Sequence, residues 1–301
     1  MKKIYTIVFF ISVGLAFSAI VAAGIYGIKF GVDFKGGSVI ELDFKNGRPQ
    51  ISEIQSLLSG EAEFKEAGVN LAGQNGIIIK SGELSEQTHQ NILKKISAQF
   101  PSAGMEELKF DSVGPVIGKE LKSKSLSAVI IVLFSIIIYI AIVFRKLSRT
   151  ISGWAMGVAA IVALAHDVII PVGVFALLGK FYGIEISAVF VAAILTVLGY
   201  SVSDTVVVFD RVRENIIKGG GAGEGFGAVV HKSILQTLTR SLNTTFTTLL
   251  SLMAIYLFGG ESIKYFALAL IMGIFLGAYS SIFVASPLLV WWNGKSVSQK
   301  R

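Results

Sequence analysis

Uncharged apolar windows dominate the chain. They cover residues 4–28, 125–144, 186–203, 241–260 and 265–294, and a sixth, 150–179, is interrupted only by His166 and Asp167. A membrane-spanning helix needs about 20 apolar residues in succession. The pattern therefore predicts six spans, at about 4–28, 125–144, 151–178, 186–209, 241–258 and 264–292. The connections at 145–150, 179–185 and 259–263 are short, so the helices they join are expected to pack as antiparallel neighbours. The connection 210–240 is longer and holds the glycine-rich stretch 219–227. After it, Phe226, Val229, Val230, Ile234 and Leu238 recur at near-helical spacing and predict an amphipathic surface helix.

Residues 30–124 follow a different pattern. Val39–Phe44 alternates as a strand and ends at the turn signal Asn46-Gly47. Residues 51, 54, 57 and 58 are apolar at helical spacing, which predicts a helix over Ile51–Leu58. Strands are expected near 62–71 and 76–80. Ser85–Phe100 reads as a helix with Ser85 as N-cap and Pro101 beyond its end, and a last strand is expected over Leu108–Val113. The order β-α-β-β-α-β predicts a small ferredoxin-like α+β domain between the first and second spans. The fold class expected is thus a polytopic α-helical membrane protein with six transmembrane helices and one such domain.

Composition agrees with this reading. Of 301 residues, 53% are hydrophobic and only 16% charged, with mean hydropathy +0.69; soluble domains carry about 25% charged residues. The net charge of +7 does not point to nucleic acid. Residues 30–124 hold 11 Lys/Arg against 13 Asp/Glu, while the remainder holds 16 against 7. The basic excess falls in segments that alternate across the six spans, so all of it lies on one side. The positive-inside rule makes that side the cytosol. The expected organisation is 1–29 as the first helix with a cytosolic N-terminus, 30–124 as an extracytoplasmic domain, and 125–301 as a five-helix membrane domain with a cytosolic loop 210–240 and a cytosolic C-terminus. The uncharged run of the first span is longer than the apolar region of a signal peptide, about 7–15 residues, so it is expected to be retained. The chain has no cysteine, which excludes thiol ligands and disulfides.

Candidate chemistry is sparse. Thr196-Val-Leu-Gly-Tyr200 resembles a potassium filter but lies inside a continuous span. Gly223–Ala228 formally matches GxGxxA, yet it follows a helix and a charge cluster rather than a strand. No GxxxxGK[ST] segment occurs, the three histidines are scattered, and no catalytic triad is evident. No cofactor, metal or enzymatic activity is expected. What remains is Asp204, a carboxylate at the end of an apolar run, where a charge costs about 2.5–3.5 kcal/mol. Helical spacing places Thr196, Tyr200, Ser203 and Asp204 on one face, and Thr237, Arg240, Ser241, Thr244, Thr248 and Ser251 on one face of the next span. Arg240 is the only charge on that second face. The two define an expected separable ion pair: burial disfavours the charged carboxylate, Arg240 favours it, and moving them apart would exchange a proton. A static salt bridge is the plainer alternative. His166 and Asp167 lie deeper, near Pro171, and could serve an accessory proton relay or a helix-packing hydrogen bond.

Five segments resemble one family. Gly31-Val-Asp33-Phe-Lys-Gly36-Gly37 is similar to the GxDFxGG signature of the SecF family of protein-export membrane subunits. Val113–Leu121, Ala165–Asp167, Tyr200–Asn215 and Leu238–Thr244 resemble its later blocks, in the same order along the chain. The related SecD subunits usually have a larger outside region and a Val-Asp-Ala-Asn type of sequence where this chain has Val-Ser-Asp-Thr205. Ser38 departs from the threonine common after the glycine pair but keeps a hydroxyl. The resemblance implies the resistance-nodulation-division fold. It also implies an accessory role in which inward proton flow helps to draw preproteins through the SecYEG channel after the SecA ATPase has acted. The expected partners are a SecD-like subunit as heterodimer, SecYEG, preprotein, YajC and protons, with no nucleic acid, in a bacterial or archaeal cytoplasmic membrane. The family's relay residues map onto Asp204 and Arg240, and Asp167 maps onto its third-span carboxylate. Asp33, Gly36 and Gly37 would form a structural joint where the domain begins. A proton-driven small-molecule or lipid transporter of the same superfamily and a passive scaffold for SecD are the competing readings.

Overall fold

A computed structural model describes residues 3–60, 64, 68–144, 153–218 and 225–298. Its helices are α1 (Lys3–Tyr26), α2 (Val32–Lys35), α3 (Ile51–Leu58), α4 (Glu86–Gln99), α5 (Pro115–Val143), α6 (Gly153–Tyr182), α7 (Ala188–Ile217), α8 (Phe226–Phe258), α9 (Glu261–Ser280) and α10 (Ser286–Ser298). Its strands are β1 (Gly37–Phe44), β2 (Gly68–Ala72), β3 (Gly76–Ser81) and β4 (Met105–Val113). Among the described residues six helical stretches are long and apolar enough to cross a membrane: α1, α5, α6, α7, α8 and the run Ile263–Asn293. The chain divides into two compact units, Met1–Lys29 with Ser127–Arg301, and Phe30–Leu126.

The smaller unit is a four-stranded antiparallel sheet of order β2-β3-β1-β4. With α3 and α4 in their chain positions this is the ferredoxin-like βαββαβ arrangement. Alternation along β1 and β3 sends Ile40, Leu42, Phe44, Ile77 and Ile79 to one face, where they meet Ile54, Leu58, Ile92 and Ile96 of the two helices. Ser85 caps α4 by accepting from the Thr88 backbone N–H at 3.2 Å. Ser38 is fully buried; its hydroxyl lies 2.8 Å from that of Ser112 and accepts from the Leu84 N–H at 2.9 Å, tying β1 to β4 and to the segment before α4. The strand expected near 62–71 is the shorter β2, and most of 61–67 lies outside the described residues. His89 of α4 stacks on Phe110 with ring centroids 3.7 Å apart, and its Nε2 lies 2.8 Å from the Glu107 carboxylate.

The larger unit buries small and aliphatic side chains. Ala155, Met156, Ala159, Ala160, Ala163 and Leu164 line α6, and Leu198, Val208, Phe209 and Val212 line the facing side of α7. Two glycines of α9 decide how near α7 can come. A methyl group at Gly273 would lie 2.3 Å from Val197 Cγ2, and one at Gly277 would lie 2.8 Å from Ser201 Cβ. Gly273 and Gly277 are four residues apart, the small-xxx-small spacing that lets membrane helices approach closely.

Two expectations change. The amphipathic surface helix after the glycine-rich stretch is not a separate element: Phe226, Val229, Val230, Ile234 and Leu238 begin the 33-residue helix α8, which continues through the fifth span. Val229, Val230 and Ile234 are buried against the other spans, so the periodicity marked an internal packing face. The sixth span is not one regular helix either; a π-helical turn over Ser281–Ala285 interrupts it. The glycine-rich residues 219–224 lie outside the described residues.

Candidate functional site: two serine-held carboxylates

Asp167 on α6 is fully buried, and Asp204 on α7 is 9% exposed. Asp167 Oδ2 accepts hydrogen bonds from Ser201 of α7 at 2.6 Å and from Ser280 of α9 at 2.7 Å. Its Oδ1 lies 2.9 Å from Nδ1 of His166. Asp204 Oδ1 accepts from Ser241 of α8 at 2.5 Å, and its Oδ2 accepts from Ser281 at 2.8 Å. The neighbours Ser280 and Ser281 thus hold one carboxylate each, and they stand where α9 passes into the π-helical turn. The extra residue of a π turn rotates the following side chains relative to an α-helix. Ser286 closes the turn by donating its hydroxyl to the Ser281 carbonyl at 2.8 Å.

The sequence places these groups for local reasons. Pro171 carries no N–H, so the α-helical bond that residue 171 would make to the Asp167 carbonyl, four residues earlier, cannot form. Ser201 and Asp204 are three residues apart on α7 and share its buried face. Gly277 lets that face come close enough for Ser201 and Ser280 to reach the same oxygen of Asp167.

The hydroxyls have alternative acceptors. Ser281 Oγ is also 2.9 Å from the Ala278 carbonyl, and Ser280 Oγ is 3.3 Å from the Gly277 carbonyl. A serine has one proton to donate, so each can serve the carboxylate or its own helix. A protonated carboxyl would itself donate to the serine oxygen, and the serine O–H would turn to donate to the backbone carbonyl. The arrangement can therefore hold either protonation state of Asp204 with a shift of hydrogen atoms alone. Three buried polar atoms without a partner among the described residues adjoin this site: His166 Nε2, Thr205 Oγ1 beside Asp204, and Thr245 Oγ1, one turn along α8 from Ser241.

The separable Asp204–Arg240 pair is not formed. Arg240 is exposed, and among the described residues neither it nor Asp204 makes an ion pair within 4.0 Å. On α8 the buried row is Thr237, Ser241 and Thr245, while Arg240, Thr244 and Ser251 point away from the unit. Helical spacing spread those residues over too broad a face. The same holds on α7, where Thr196 and Ser203 are exposed and the polar companions of Asp204 are Ser201 and Thr205. Tyr200 meets the next span at the limit of hydrogen bonding, 3.5 Å from the Thr248 hydroxyl. His166 and Asp167, adjacent on one helix and not required by helix geometry to share a site, do meet. Ser280 and Ser281 carried no signal in the sequence, because hydroxyls in an apolar span usually bond back to their own helix.

In the smaller unit the glycine pair holds unusual backbone. Gly36 has φ +84° and Gly37 φ +127°. A Cβ on Gly36 would lie 2.7 Å from Pro115 Cα, and one on Gly37 would lie 2.6 Å from the Ser81 carbonyl oxygen. Asp33 sits in the first turn of α2, directly before the pair.

With this geometry in view, comparison with known proteins is decisive. Residues 92–295 match the family described as protein export membrane protein SecD/SecF, C-terminal, and residues 21–47 match the SecD/SecF GG motif. The chain belongs to the SecD/SecF protein-export family. The protein translocase subunit SecF of Thermobaculum terrenum is 42% identical over 282 residues, which span 90% of this chain and 86% of the relative. That of Anaerolinea thermophila is 36% identical over 95% of this chain and 91% of the relative. The protein translocase subunit SecDF of Brucella abortus is 38% identical over 89% of this chain but only 34% of its own length. The crystal structure of SecDF, a translocon-associated membrane protein of Thermus thermophilus, superposes with a TM-score of 0.81 at 34% identity, over 96% of this chain and 38% of that one. The family places the chain among multi-span membrane subunits of protein translocases.

Proposed function

We propose that this chain is a SecF-type accessory subunit that couples proton flow to preprotein translocation, with Asp204 as the group that takes up and releases the proton. The observation that carries the reading is the environment of Asp204. Its two oxygens are held by two neutral serine hydroxyls, and among the described residues no cation lies within ion-pair distance. A carboxylate buried in a membrane unit without a counter-charge is costly, and a proton removes that charge. Asp167 with His166 forms the accessory step. It is joined to Asp204 through the adjacent Ser280 and Ser281.

Arg240 takes a different part from the one its sequence position suggested. Exposed on α8, it is available to a second membrane subunit rather than to Asp204. A SecD-like partner docking on that face would bring its own carboxylate toward Arg240. The SecDF relatives, in which one longer chain contains a region like this one, support such a partner. SecYEG, YajC and preprotein are the further partners of this reading. The topology that goes with it has both termini and loop 210–240 in the cytosol and residues 30–124 outside the cytoplasmic membrane. The protein catalyses no bond chemistry.

The test is preprotein translocation into vesicles that hold the channel, the ATPase, a SecD-like subunit and this chain, with and without an imposed proton gradient. Asp204→Asn should abolish the stimulation by the gradient while leaving assembly with the SecD-like subunit intact. Full gradient-dependent stimulation with Asp204→Asn would remove Asp204 from the mechanism.

A further inference from the structure

A groove of about 430 Å³ runs between α8 and α9. Leu238, Leu242 and Phe246 form much of its α8 wall, Phe275 and Ala278 line α9, and Tyr5 of α1 also lines it. The α8 wall extends from Ile234 to Leu249, roughly 22 Å along the axis at 1.5 Å per residue. That is deeper than one leaflet of a hydrocarbon core about 30 Å thick.

The chemistry of the two ends differs. Toward Leu249 the walls are apolar apart from Thr245. Toward Ile234 the Tyr5 hydroxyl lies 2.8 Å from His231 Nδ1. At that end, Lys232 stands three residues before Leu235, and Lys3 two residues before Tyr5. Both are exposed, and neither makes an ion pair among the described residues. A long apolar slot with cations at its mouth matches one kind of molecule. Water does not fill a cavity lined by apolar side chains. A helix 22 Å long and about 10 Å across displaces several times the volume of the groove. We propose that the groove holds one acyl chain of an anionic phospholipid, with the lipid phosphate against Lys232 and Lys3.

The energetics agree in sign. The acyl chain passes from one apolar phase to another and is held by packing against the groove walls, while the lysines attract the phosphate. The site also touches the carboxylate system: Ser241, which donates to Asp204, lines the same groove. The proposal does not rest on proton coupling, and its test measures lipid retention only.

The full chain would be reconstituted in nanodiscs of phosphatidylcholine and phosphatidylglycerol at four to one, released into mild detergent and weighed by native mass spectrometry. The wild type should retain one phosphatidylglycerol per chain. Ala278→Phe, which fills the groove, should lower that retention at least tenfold. Leu242→Trp fills it from the more exposed wall and serves if Ala278→Phe does not fold. Lys3→Gln with Lys232→Gln should keep a bound lipid but lose the preference for phosphatidylglycerol. Equal retention in wild type and a folded filled variant would overturn the groove as the site. An undiminished preference for phosphatidylglycerol in the lysine variant would overturn the headgroup assignment. Crosslinking of Leu242→Cys to a partner subunit in place of lipid would show that protein occupies the groove.

Discussion

Replacing Gly273 by alanine tests the close approach of α9 to α7. The new methyl carbon would lie 2.3, 2.7 and 3.0 Å from Cγ2, Cγ1 and Cβ of Val197. All three are inside van der Waals contact, which begins near 3.5 Å, so the helices must part by about 1 Å or Val197 must leave its rotamer. Overpacking of this kind costs about 1–3 kcal/mol. Against it stands the helix preference for alanine over glycine, about 0.8–1 kcal/mol. The net expectation for Gly273→Ala is a loss of up to about 2 kcal/mol, as much as roughly thirtyfold in the unfolding equilibrium. Gly199 is the control, because a methyl there meets nothing within 4 Å; Gly199→Ala should gain up to about 1 kcal/mol. The assay is unfolding in mixed detergent followed by circular dichroism, with the double variant Gly273→Ala/Val197→Ala as a cycle. Removing both methyls of Val197 should return most of the loss, with a coupling of about 0.5–3 kcal/mol. If Gly273→Ala proved as stable as Gly199→Ala, the helices would not be packed as described.

Ser281→Ala removes one of the two donors to Asp204 and should cost about 1–3 kcal/mol of stability. It should also weaken gradient-driven translocation, whereas Ser281→Thr should retain most of it; equal activity in all three proteins would exclude the hydroxyl. Gly36→Ala combines a positive φ, worth about 1–2 kcal/mol for a side-chain-bearing residue, with a clash against Pro115. Hydrogen exchange should then show faster opening of β1 and of the start of α5, and unchanged exchange there would refute the account. Glu86 is held below the usual glutamate range by a hydrogen bond from Gln90, with a further contribution from the charge of His89. Its stabilisation is therefore present at neutral pH and is lost as the pH falls through the lowered folded-state value. The difference in melting between wild type and Glu86→Gln should shrink on acidification over that range; a difference that grew would reverse the sign of the argument.

Six spans and the ferredoxin-like unit were legible from pattern alone, although α5 and α8 begin at Pro115 and Phe226, ahead of the expected limits. Hydropathy over 20 residues and alternation over six are local properties, set by what each helix or strand must bury. Ser85 could be read as a cap for the same reason: its partner, Thr88, is three residues away. The two buried acids were also visible, because a carboxylate in an apolar run is conspicuous wherever the run packs. Their partners were not. Arg240 shares a helical face with Ser241 on a coarse wheel, but only packing against α7 decides that Ser241 turns inward and Arg240 outward. Ser280 and Ser281 look like ordinary span hydroxyls until the π-helical turn and the glycines at 273 and 277 bring them between α6 and α7. Which residues carry charge was determined by the sequence; which neutral groups hold that charge was decided by helix contact, since hydrogen bonds about 2.5–3 Å long depend on distances that no one-dimensional pattern contains.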